Sequence, residues 1–157
     1  MKRILPLMIF LLLFGVESAV PCFGPKLYLG VPEGVRFRLL AELAVVYVKE
    51  KTGVETVRTA LAPDAAVAGV RAATLDLALS ASAAEDLTLL LAAPGGPLLL
   101  SGPRVLTDLQ FSTVPAALKK LGGLLSEDFF AELVAEVEGG AEPAAVVGRA
   151  LRERRWI

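Results

Sequence analysis

Apolar positions change their spacing several times along the chain, and each change predicts an element. Lys26 to Val31 is largely apolar with weak alternation, the pattern of a buried strand, and Gly30, Pro32 and Gly34 are placed to end it. From Val35 to Thr52 the period becomes helical. Leu39, Leu43 and Tyr47 recur four apart on one face, with Leu40 and Val46 beside them. Lys49 and Lys51 suit the negative end of that helix, and Gly53 suits the left-handed residue that closes it. Val54 to Leu61 returns to strand chemistry, with Val54, Thr56 and Val57. Pro63-Asp64 opens a short Ala-rich helix to about Ala73, marked by Val67 and Val70, and Leu75 to Ser80 is a third strand. Strand, helix, strand, helix, strand makes two right-handed crossovers. An α/β fold with a mostly parallel sheet and helices on both faces is therefore expected.

Ser80 to Asp86 is small and polar and predicts a linker. Two apolar runs, Leu87 to Ala92 and Leu98 to Ser101, flank Pro94-Gly95-Gly96-Pro97 and predict a hairpin. The remainder is helical. Val105 to Leu109 and Pro115 to Leu121 are short pieces. Ser126 is an N-cap for a helix to about Val137, with Glu127 and Asp128 in its first turn. Gly139-Gly140 stops that helix, and Pro143 starts a last one with the basic end Arg149, Arg152, Arg154 and Arg155. No internal repeat is visible.

The start of the chain follows different rules. Lys2-Arg3 precedes an apolar run from Ile4 to Val16, interrupted only by Pro6 and shorter than the roughly 20 residues a membrane span needs. A basic start, a short apolar run and small residues after it predict a secretory signal peptide over residues 1–22, and an extracytoplasmic or periplasmic mature chain. A buried N-terminal helix and a retained membrane anchor are the competing readings. Cys22 stands where a bacterial lipoprotein carries its acylated cysteine and is the candidate lipidation site. Pro21 occupies the place that pattern gives to a small residue.

Composition narrows the function more by exclusion. At 157 residues the chain has room for one domain, placed over residues 23–157. A formal net charge of -1 leaves no electrostatic footprint for nucleic acid. With no His and one Cys, His-based triads, Cys/His zinc sites and an internal disulfide are ruled out. No cofactor, metal or enzymatic activity is expected, since the remaining carboxylates, Lys, Ser and Tyr fall at no recognisable catalytic spacing. Glu127-Asp128 is accounted for by capping and Glu85-Asp86 by a loop.

Two segments carry a family resemblance. Lys26 to Ser80, with a helix ending in KEKTG and a later Thr74-Leu75-Asp76-Leu77, is similar to the N-terminal lobe of the glycine betaine/choline/carnitine-type substrate-binding proteins of ABC transporters. That family has Gly and an acidic residue where Ala72, Ala73 and Thr74 stand here. Val114 to Ile157, containing ALKKLGGLLSEDFF, the Gly139-Gly140 link, Pro143 and a basic end, resembles the C-terminal part of the same family. Family members have a type II periplasmic-binding-protein fold of two α/β lobes that trap ligand between them. Only Ala81 to Pro103 separates the two segments here, too few residues for a second lobe. The resemblance therefore implies a single three-layer lobe.

From the same resemblance follow a small quaternary-ammonium ligand, an ABC permease in the cytoplasmic membrane as partner, and pairing of two chains to complete a cleft. A non-binding interaction module derived from the lobe is the alternative. The family's ligands are held by cages of Trp or Tyr through cation–π contact. Tyr28 and Tyr47 are expected in the core here, and Trp156 on the lobe surface. The loop residues Pro32 and Glu33 and the linker residues Ser80 and Ser82 fall at strand ends, the expected ligand edge of such a sheet, and are the candidate binding residues.

Overall fold

The computed structural model describes residues 24–157. The signal-peptide reading over 1–22 and the lipidation reading of Cys22 lie outside them. Strand β1 (Lys26–Val31) leads through Pro32-Glu33-Gly34 into helix α1 (Val35–Thr52), which has the predicted bounds. Gly53, at φ 74°, closes that helix by donating its N–H to the Lys49 carbonyl at 2.9 Å. Then come β2 (Glu55–Ala60), α2 (Pro63–Arg71) and β3 (Leu77–Ser80). The hairpin is β4 (Thr88–Ala92) and β5 (Leu98–Ser101). Helix α3 (Pro103–Thr107), a 3-10 turn at Leu109–Phe111, α4 (Val114–Leu124), α5 (Glu127–Glu138) and α6 (Pro143–Glu153) complete the described chain.

The five strands form one sheet in the order β2-β1-β3-β5-β4. Strand β1 pairs in parallel with β2 and β3, whereas β5 is antiparallel to both β3 and β4. The sheet is therefore mixed: β1, β2, β3 and β4 run in one direction and β5 alone runs against them. A hairpin needs antiparallel partners, and β5, the return strand, inserts between β3 and β4.

The chain steps from β1 outward to β2, then back across β1 to β3. With right-handed crossovers, that reversal sends the two connecting helices to opposite faces. Helix α1 packs on one face with α4, α5 and α6, over a core that includes Leu27, Leu29, Leu77, Leu79, Leu91 and Leu99 from the sheet. Helix α2 packs on the other face, over a small cluster of Ala66, Val70 and Ala78.

Three sequence expectations fail for packing reasons. Gly30 does not end β1 but lies inside it, under α2. A Cβ there would stand 2.8 Å from the Ala66 Cβ and 2.9 Å from Leu75 Cδ1, so the close approach of helix to strand requires glycine. Tyr28 is not core. Alternation aims Leu27, Leu29 and Val31 at the thick face and Tyr28 at the other, where α2 is too short to cover it. Tyr28 is 43% exposed beside its cross-strand neighbour Val57 at 40%. Helix α4 also runs through Gly122-Gly123 to Leu124, past the predicted end. Gly122 lets it close on β4, where a Cβ would come within 3.1 Å of Leu91 Cδ1.

At the opposite edge from the strand carboxyl ends, Asp76 ties three elements together. Its carboxylate, 5% exposed, accepts hydrogen bonds from the Tyr28 N–H at 2.8 Å and from Arg104 Nη1 at 2.8 and 3.0 Å. The Arg104 guanidinium in turn lies 4.8 Å from the Phe111 ring centre. No helix among the described residues is long and apolar enough to cross a membrane.

Candidate functional site

The carboxyl ends of β1 and β2 open into a cleft of about 340 Å³. Its apolar surface comes from Val31 and Pro32 after β1, Ala41 on α1, Ala60 at the end of β2, and Pro143 at the start of α6. Its charges are Glu33, Arg38, Glu42, Arg58 and Glu142. The local reasons are simple. Arg58 faces α1 because it alternates in register with Leu29 of β1, and Glu42 sits one helical turn after Arg38. Glu142 is the residue before α6 and Pro143 its first, so the entry to that helix forms one wall.

Glu42 is the one buried charge of the cleft, 7% exposed, and it accepts a hydrogen bond from Arg58 Nη1. The pair is internally neutral, and Arg58 keeps about half of its side chain in solvent. Arg38, Glu33 and Glu142 make no ion pair or side-chain hydrogen bond among the described residues. Arg36, two residues before Arg38, reaches across the edge instead and donates to the Gly95 carbonyl in the β4–β5 turn.

The four residues expected at the ligand edge do not come together. Pro32 and Glu33 line the cleft on the α1 face. Ser80 and Ser82 line a separate depression of about 460 Å³ on the α2 face, with Pro63, Asp64 and Arg71. The Ser80 hydroxyl donates to the Ser82 carbonyl at 2.7 Å and accepts from the Ser82 N–H at 3.2 Å. Both groups are thus engaged in shaping their own turn. The same loop is tied to α2 by Arg71, which donates to both oxygens of Asp86 at 2.8 and 2.9 Å. Hydrogen bonding from Arg71, helped by a backbone hydrogen bond and by the Arg71 charge, holds the Asp86 carboxyl below the usual carboxylate range.

The cleft residues missed from sequence are Arg38, Glu42, Arg58 and Glu142. Two signals were present: Glu42 interrupts an otherwise apolar helix face between Leu39 and Leu43, and Arg58 occupies an inward position of β2. Tyr28, Tyr47 and Trp156 stand apart from the cleft. Tyr47 is fully buried, Trp156 packs edge-to-face on Phe129 at 5.0 Å, and Tyr28 lies on the opposite face. No group of three or more His, Cys, Asp or Glu among the described residues is placed to hold a metal. In comparisons with known proteins, no family model, no curated protein and no solved structure matches the chain.

Proposed function

We propose that this protein is the extracytoplasmic solute-binding component of an ABC transporter, reduced to one lobe of a type II binding protein and serving a small amine-bearing solute. The resemblance of Lys26–Ser80 and Val114–Ile157 supplies the family, with quaternary amines such as glycine betaine and choline as its ligands. The observation that carries the reading is the cleft of about 340 Å³ at the carboxyl ends of β1 and β2, where α/β sheets bind ligands. Its walls are α1, β2 and the start of α6, so a bound solute remains open to water on one side. Weak binding by the single chain follows, strengthened where a second chain or the permease closes over the opening. No catalytic step is assigned to any residue.

One observation favours a second reading. A quaternary ammonium ion is held by aromatic faces, and none among the described residues lines the cleft. The lobe would then be an interaction module that docks to a permease or partner chain without capturing solute. Calorimetric titration with glycine betaine, choline, carnitine and a set of small primary-amine solutes tests the first reading. Heat that saturates supports solute binding. Absence of heat at about 10 mM ligand, which sets the Kd above the millimolar range, overturns it. Co-purification with the permease from ligand-free membranes, together with absent heat, selects the second.

A further inference from the structure

We infer that the cleft between α1, β2 and α6 takes a zwitterion bearing a protonated primary amine, of the size and kind of an uncharged α-amino acid, rather than a quaternary amine. This rests on the solute-binding reading and names its ligand class.

The argument starts from charges that share a cavity without closing on one another. Glu42 and Arg58 already pair and place little demand on a ligand. What remains is one guanidinium, Arg38, and two carboxylates, Glu33 and Glu142. All three line the same cleft, and none is paired among the described residues. Opposite charges held apart around a cavity are satisfied together by one small molecule that carries both signs. A ligand carboxylate matches the two-pronged donor face of Arg38, and an ammonium offers three N–H donors to Glu33 and Glu142.

A quaternary ammonium offers none of those donors. Its methyl groups would keep the carboxylates at a distance, and among the described residues the lining has no aromatic face to compensate. The apolar floor of Val31, Pro32, Ala41 and Ala60 instead suits a short aliphatic side chain. The volume of about 340 Å³ is at the small end of ligand sites and admits a small amino acid.

The probes are L-valine, its N-trimethylated betaine, 3-methylbutanoate and choline, titrated calorimetrically into the protein. L-Valine is expected to bind, with the betaine and 3-methylbutanoate each weaker by about tenfold or more, the loss expected when charge-assisted hydrogen bonds are removed. Arg38→Gln and Glu142→Gln, both at exposed positions, are each expected to weaken L-valine by about fivefold or more with no change in melting temperature. Betaine or choline binding as tightly as L-valine overturns the inference and leaves solute binding standing. L-Valine binding that is indifferent to both substitutions overturns it too, placing the amino acid elsewhere. Silence from all four probes overturns the inference, and silence from glycine betaine and carnitine as well overturns the solute-binding reading with it.

Discussion

Replacing Tyr47 with Phe is expected to make the protein more stable. Tyr47 lies on the face of α1 that meets the core; it is fully buried, and its hydroxyl has no hydrogen-bond partner among the described residues. Leaving a hydroxyl unsatisfied in the interior costs roughly 1–3 kcal/mol relative to water. Removing one oxygen creates a void of about 10–15 Å³, which costs about 0.3 kcal/mol at 24 cal/mol per Å³. The ring remains, and so does the Lys51 ammonium 5.7 Å from its centre. The net expectation for Tyr47→Phe is a gain of about 1 kcal/mol. Urea titration reads this as a higher midpoint at unchanged slope, and a thermal scan as a rise of about 2–4 °C.

The pH dependence gives an independent check. Burial pushes the Tyr47 phenol above its ordinary pKa of 10.0. Above that pH the unfolded chain releases the proton while the folded chain retains it, so the unfolded state binds fewer protons and stability falls as pH rises. The advantage of Tyr47→Phe should therefore widen above about pH 10 and stay constant below it. A loss of more than about 0.5 kcal/mol at neutral pH would refute the reasoning, because it would require a partner for the hydroxyl.

Other predictions test the rest of the fold. Gly30→Ala should cost about 1–3 kcal/mol by overpacking against Ala66, and a melting temperature within about 1 °C of the parent would contradict the contact. Asp76→Ala should cost about 2–3 kcal/mol in urea titrations, since the Tyr28 N–H loses its acceptor; half-exposed Arg104 holds the figure below that of a fully buried pair. Asp86, held below its ordinary pKa by Arg71, stabilises the fold above the unfolded pKa and loses that contribution as pH falls through the folded value. Arg71→Gln should therefore flatten the acid limb of the stability curve, and an unchanged limb would count against the pairing.

Much of the element order was legible because hydrophobic period is a local property. Helix α1 has its predicted bounds, the hairpin strands flank Pro94–Pro97, and Ser126 caps α5 by accepting from the Phe129 N–H. What was not legible depends on distant partners. The placement of β5 between β3 and β4 is set by pairing across the sheet, and the exposure of Tyr28 by how far α2 extends. Gly30 and Gly122-Gly123 read as breakers, yet they sit inside elements where a neighbour comes close. The cleft divides in the same way. Pro32 and Glu33 follow from the position of one loop, whereas Arg38, Glu42, Arg58 and Glu142 come from three segments that only the folded chain brings together. Ser80 and Ser82 were correctly placed at a strand end, but on the other face of the sheet.

The central claim is that a small solute binds at the carboxyl ends of β1 and β2. Amide chemical-shift mapping during titration with L-valine and with glycine betaine tests it most directly. The account predicts saturable shifts concentrated at Val31–Gly34, Arg58–Ala60 and Glu142–Ala144, with Tyr28, Val57 and the Ser80–Ser82 turn unmoved. Shifts centred on that turn or on the Tyr28–Val57 face, or no shift from either solute, would contradict it.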